Sequence, residues 1–151
     1  MRDDLCSGHE ISSLPARELP VVSALTVAAL RGPPVRLFTN EPRKDIMRRS
    51  SSEVFEKRIF ANDRDRDITK AKMRLCLRMA AKRNHDMLVL GALGCGVYGN
   101  PPEDIAHCWL EMLREYEFSG NWWWEVWFAV FNTKNGGNFE IFHQVLDGKQ
   151  V

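Results

Sequence analysis

The sequence predicts an α/β domain built on a mostly parallel sheet with helices on both sides. Three observations carry that expectation. From residue 63 onward the apolar patterns alternate helix, strand, helix, strand, helix, the order that yields parallel strands joined by crossover helices. Two strand candidates in that series, around Leu88-Val89-Leu90 and in the run from Trp122 to Phe131, are continuously apolar, as strands buried on both faces are. Each is followed by a polar, glycine-bearing loop, at 94–100 and 132–138, and ligands in such sheets bind beyond the carboxyl ends of the strands.

Composition narrows the class further. A chain of 151 residues holds one domain with a real core, and 44% hydrophobic with 27% charged residues marks it as globular. A formal charge of +1 gives no reason to expect nucleic acid or a membrane surface as partner. No apolar run reaches the ~18 residues that a membrane span needs. The segment Met1-Arg2-Asp3-Asp4-Leu5-Cys6 has no apolar stretch, so no secretory signal is expected. Cys6, Cys76, Cys95 and Cys108 are then expected as reduced thiols of the cytoplasm or nucleus. Cys6 with His9, and His107 with Cys108, are each half a metal site without a second pair at ligand spacing, so no metal is expected. No cofactor is implied.

Along the chain, residues 1–19 are polar and aperiodic and read as a mobile arm, leaving 20–151 as the domain. The small and β-branched run Val21-Val22-Ser23-Ala24-Leu25-Thr26-Val27 predicts a strand, and Val35-Arg36-Leu37-Phe38-Thr39 a short edge strand after the Gly32-Pro33-Pro34 turn. Residues 40–52 read as a loop, its basic residues solvated, and 53–60 as a short helix around Val54, Phe55 and Ile59. A helix over 63–83 carries Ile68, Ala71, Leu75 and Met79 on one face, with Cys76 and Ala80 beside them. Acids open that helix and bases close it, as its dipole favours, and Asn84 ends it in a left-handed turn. The following helix runs from Pro101 to about Phe118 with Ile105, Trp109, Met112 and Tyr116 on its core stripe. A last helix over 138–146 packs Phe139, Phe142, Val145 and Leu146.

The segment that decides function is Gly94-Cys95-Gly96-Val97-Tyr98-Gly99-Asn100. Three glycines let the backbone turn tightly and approach a ligand, and Asn100, Pro101 and Glu103 have the spacing of a capped helix start. Strand, glycine loop and helix in that order present backbone N–H groups to a phosphate or diphosphate. Pro101 and Pro102 have no N–H, so an anion here is held mainly by the amides of residues 95–100. The match to G-x-G-x-x-G is not a dinucleotide fingerprint, because the next strand ends in Phe131-Asn132 rather than an acid and little chain remains after it. A glycine turn without ligand accounts for Gly94 and Gly99, but three glycines with an aromatic at 98 exceed what packing asks. Tyr98 reads equally as a wall against a ribose or as a core side chain.

Residues 67–132 resemble the microbial-type poly(ADP-ribose) glycohydrolases, a branch of the macrodomain family, most densely in Leu88-Val89-Leu90-Gly91-Ala92-Leu93-Gly94-Cys95-Gly96-Val97-Tyr98-Gly99-Asn100-Pro101-Pro102-Glu103-Asp104. His85-Asp86 and Val22-Ser23-Ala24 add to the likeness. The resemblance implies a three-layer α/β/α macrodomain-like sheet lacking the family's first strands. It implies ADP-ribose, free or on a modified protein, as the ligand, with the diphosphate on residues 94–99 and Tyr98 at the distal ribose. Asn100 and Asn132 complete the implied contacts, Asn132 toward the adenine. In that family catalysis rests on a glycine-rich loop followed by a Gln-Glu-Glu element, one glutamate of which is the general acid. Neither Gly-Gly-Gly nor Gln-Glu-Glu occurs in this chain, and loss of a required acid costs about 10²–10⁴ in rate.

Four readings follow. The first is a shortened macrodomain that binds ADP-ribose or a related nucleotide diphosphate without ordinary glycohydrolase activity, so that no catalytic residue is assigned. The second is a hydrolase using rearranged carboxylates at Glu125, Glu103 or Asp104. The third is an interaction protein whose exposed sheet edge is covered by a second copy or by a partner supplying the missing segment. The last is a Cys95 nucleophile with His107 or His143 as base.

Overall fold

A computed structural model describes residues 15–18, 21–39, 56–131 and 137–151. Its elements are β1 (Val35–Thr39), β2 (Glu56–Phe60), α1 (Asp63–Lys82), β3 (Met87–Gly91), α2 (Pro102–Leu113), β4 (Glu125–Ala129) and α3 (Asn138–Leu146), with single 3₁₀ turns at Ala16–Glu18 and Tyr116–Phe118. The order expected after residue 63 is the order found.

β3 and β4 pair in parallel, Leu88 opposite Val126 and Leu90 opposite Phe128, with α2 as the crossover between them. Their inward side chains and those of three helices form one core around Met73, Leu77, Ile105, Met112 and Leu113, all essentially without exposed surface. Trp109 is edge-on to Phe128, and its indole N–H donates to the Gly91 carbonyl at 3.1 Å, fixing α2 over the end of β3. The outward face differs from the two-sided burial that the apolar runs imply, for Val89 and Trp127 are 74% and 61% exposed.

Other local expectations shift. The predicted strand at 21–27 has no strand pairing among the described residues; it lies beside β3 and α1 across a largely apolar cleft of about 900 Å³. Its neighbourhood is held by side chains: Ser23 Oγ is 2.8 Å from His85 Nε2, and Lys72 donates to the Ala28 carbonyl. The predicted short helix at 53–60 is, over 56–60, strand β2, antiparallel to β1 with Val35 opposite Phe60. Residues 53–55 lie outside the described part. The expected edge strand 35–39 is β1 itself.

Helix α1 begins where expected, under Asn62, whose Oδ1 accepts from the Asp65 amide at 2.9 Å, and Asn84 ends it at φ 54°. Its rotation differs from the expected one. Thr69, Met73, Leu77 and Ala80 point inward, while Leu75 and Met79 are exposed. A charge ladder accounts for this. Arg66 binds Asp104 and Glu111, Lys70 binds Glu111, Arg74 makes two bonds to Glu115 at 2.6 and 2.7 Å, and Arg78 two to Glu117. Four bases at steps of four residues share one stripe of α1, which must face the acids of α2 and of the turn that follows it. The basic face is thus paired rather than simply wet. Helix α2 stops at Leu113, five residues early, and Tyr116 is fully exposed instead of sitting on the core stripe.

Candidate functional site

The glycine loop leaves the carboxyl end of β3 and enters α2. Gly94 and Gly99 take left-handed conformations, φ 74° and 65°, which side chains other than glycine adopt at a cost. Gly94 has a second requirement: a Cβ there would lie 2.3 Å from Asn100 Nδ2 and 2.6 Å from the Ala29 Cβ.

Asn100 corrects the expected helix start. Its side chain does not cap α2, whose N-cap is Pro101 with no side-chain hydrogen bond. Instead Nδ2 donates to the carbonyls of Leu30 at 2.7 Å and Gly94 at 3.2 Å, while its own amide donates to Gly94 at 3.0 Å. The residue is 1% exposed, so Asn100 clamps the loop to the segment beside it and presents no side chain to solvent. Its Oδ1 is buried without a partner among the described residues.

The loop's amides divide into two groups. Those of Cys95, Gly99 and Asn100 are paired internally, with the carbonyls of Ala92, Gly96 and Gly94. Those of Gly94, Gly96, Val97 and Tyr98 have no partner among the described residues, and the last three of these residues are exposed. Tyr98 has 44% of its surface exposed and accepts from the Gly32 amide through its carbonyl at 2.9 Å. This leaves its ring at the surface rather than in the core. The first residue of α3 meets this loop, for Asn138 Nδ2 lies 3.5 Å from the Cys95 carbonyl. Asn132 lies outside the described residues. Phe131, at the end of β4, is 83% exposed, a placement that its apolar run conceals.

The candidate chemical groups sort clearly. Burial pushes the Cys95 thiol up to about 12, with the Glu103 carboxylate adding to the effect, so it is a protonated thiol at neutral pH and a poor nucleophile. Asp104 is a structural anchor: Oδ2 accepts from the Phe60 amide at 3.0 Å and Oδ1 from Arg66 Nε at 2.8 Å. Glu125 accepts from Trp127 Nε1 at 2.7 Å at the amino end of β4, roughly 13 Å along the strand from the loop end. Only Glu103 among the three carboxylates stands beside the glycine loop, with its Oε2 buried and unpartnered among the described residues. No group of three or more metal-ligating side chains occurs among the described residues. Cys6 and His9 lie outside them.

His107, on α2, is held below its ordinary 6.5, chiefly by burial and then by Lys57. The unfolded chain therefore takes up the proton first, and stability falls as pH drops below about 6.5. Burial raises Glu111, but hydrogen bonds from Arg66 and Lys70 outweigh it and hold the group below 4.5, so its contribution is lost only as pH falls below that value. Melting temperature followed by circular dichroism from about pH 7.5 to about pH 2.5 is expected to decline in these two stages. His107→Asn should remove the upper one and leave the lower.

No protein-family model and no curated protein matches the chain. Solved structures do. The chain is similar to the poly(ADP-ribose) glycohydrolase of Deinococcus radiodurans in complex with ADP-ribose, at 30% identity over 56% of this chain and 34% of that one, TM-score 0.51. It is similar to the poly(ADP-ribose) glycohydrolase of Thermomonospora curvata at 28% identity over 57% and 32%, TM-score 0.52. The same enzyme bound to the inhibitor ADP-HPD matches at 27% identity over 56% and 32%, TM-score 0.51. The chain spans about one third of the length of these structures. The likeness to microbial poly(ADP-ribose) glycohydrolases read from residues 67–132 is therefore found in the fold as well, as a distant and partial one.

Proposed function

We propose that this chain binds ADP-ribose, or a related nucleotide diphosphate, at the carboxyl end of β3 and does not carry out ordinary glycohydrolysis. The observation that carries this reading is the run of three exposed amides at Gly96, Val97 and Tyr98, without partners among the described residues, in a loop shaped by two left-handed glycines. Consecutive N–H groups of this kind form a concavity suited to an anion, and the start of α2 adds its dipole. Tyr98 in the loop and Phe131, two residues past the carboxyl end of β4, are exposed aromatics against which a ribose and a base can rest. The likeness to an enzyme crystallised with ADP-ribose supports the choice of ligand. The lack of a Gln-Glu-Glu element supports binding without the family's chemistry.

Isothermal titration of the full chain with ADP-ribose is expected to give one site per chain, while adenosine, without phosphates, binds at least tenfold more weakly. Absence of heat and of any thermal shift at millimolar ADP-ribose would count against the reading. A hydrolase using a displaced carboxylate keeps one observation in its favour, the buried Glu103 oxygen beside the loop, which has no partner among the described residues. Release of free ADP-ribose from modified protein, abolished in Glu103→Gln, would establish that alternative. No release from wild type leaves binding alone.

A further inference from the structure

The two faces of the β3–β4 pair are unequally covered. Side chains alternate along both strands: Leu88, Leu90, Val126 and Phe128 pack in or against the core, while Met87, Val89, Trp127 and Ala129 leave from the opposite face and are exposed. The register sets Val89 opposite Trp127 and Gly91 opposite Ala129, so an apolar ridge is followed by a strip without bulky side chains. The apolar surface continues past β3, because the cleft beside that strand is lined by Val21, Val22 and Leu25 together with Met87 and Val89. Val21 is 94% and Val22 79% exposed. Glu125 is the one charged residue at the outward positions of the two strands, and its carboxylate accepts from the Trp127 indole N–H at 2.7 Å.

We propose that this face is closed by a second copy of the chain, the outer faces of two β3–β4 pairs stacked on one another in a two-fold dimer. Area is the first reason. With side chains of ordinary size, the exposed parts of Val21, Val22, Leu25, Met87, Val89 and Trp127 amount to about 700 Å², more than the roughly 300–600 Å² of the largest apolar patch on a typical monomer. A standard interface buries about 800 Å² on each partner, so two such faces match what a stable dimer needs. Charge is the second. A two-fold interface brings the same patch to itself, which suits a surface whose one carboxylate is already hydrogen-bonded. With the strands of the two copies running in opposite senses, Glu125 at the amino end of β4 lies over the carboxyl end of the other sheet, away from its counterpart. Residue type is the third, for Trp and Met are enriched at interfaces while Lys and Glu are depleted. The strip at Gly91 and Ala129 then leaves room for the partner's Trp127 as the sheets stack about 10 Å apart.

Sedimentation equilibrium of the full chain from about 1 μM to about 200 μM tests this, with a monomer–dimer equilibrium that stops at two copies as the expected result. Val89→Lys is expected to weaken association by about 30-fold or more, since each dimer carries the change twice. Leu37→Lys, exposed on β1 in the other sheet, should leave it unchanged. A measurement that needs no variant runs alongside. Hydroxyl-radical oxidation of Met87 and Trp127, read by mass spectrometry, should fall as the concentration rises through the transition. A monomer at every concentration, association beyond two copies, a dimer as stable in Val89→Lys as in wild type, or oxidation independent of concentration would each overturn the proposal. Neither measurement involves ADP-ribose, so the outcome is separate from the binding reading above.

Discussion

Gly94→Ala is expected to destabilise the fold by about 2–4 kcal/mol and to abolish ADP-ribose binding, whereas Gly99→Ala costs only about 1 kcal/mol. Both glycines have positive φ, 74° and 65°, so alanine strains the backbone at either place. The difference lies in the surroundings. At Gly99 a Cβ meets nothing within 4 Å, but at Gly94 it would enter the Asn100 amide at 2.3 Å and Ala29 at 2.6 Å. Neither neighbour can withdraw cheaply. Asn100 is buried and holds the carbonyls of Leu30 and Gly94, so moving it opens the clamp that gives the loop its shape. Urea denaturation of the two variants, paired with ADP-ribose titration, reads both effects. Equal destabilisation by the two substitutions would show that the clamp yields without cost.

The second large effect is expected at Asp104. Its carboxylate is 7% exposed and joins three elements: the Phe60 amide at the end of β2, Arg66 on α1, and its own position in α2. Asp104→Ala leaves a buried N–H without an acceptor and removes one of the two anions facing Arg66. Breaking a buried pair costs about 3–5 kcal/mol, and because Arg66 retains some solvent contact and Glu111, we expect roughly 2–4 kcal/mol here. Asp104→Asn should recover part of the loss, since an amide oxygen still accepts from Phe60. Urea denaturation of the two variants measures this. A loss below about 0.5 kcal/mol for the alanine variant would show that β2 is held to α2 by the burial of Phe60 alone. A structural anchor of this kind is also why Asp104 is unsuited to serve as a displaced catalytic acid.

Much of the fold around residues 94–100 was legible from the sequence. A continuous apolar run, three glycines and a proline-marked helix start suffice to locate β3, the turn and α2, because each depends on local backbone preference. The same holds for α1 and α3 and for the parallel pairing of β3 with β4, where alternation of elements leaves few topologies. What the sequence could not decide were rotations and partners. The core face of α1 is ambiguous in the sequence because Leu75 and Met79 fit a helical stripe as well as Met73 and Leu77 do. The choice between them is made by acids some 40 residues away that bind Arg66, Lys70, Arg74 and Arg78. Segment 56–60 reads locally as helix and becomes strand because β1 offers it hydrogen bonds.

Asn100 shows the division most directly. By itself the sequence Asn100-Pro101-Pro102-Glu103 determined that a helix starts there and that a glycine loop precedes it. Only the tertiary structure decided that the asparagine turns away from the helix toward Leu30 and Gly94, while the exposed amides of Gly96, Val97 and Tyr98 have no partner among the described residues. The reason is physical. Backbone conformation follows from residues close in the chain, but a buried side chain bonds to whatever carbonyl the fold brings within reach.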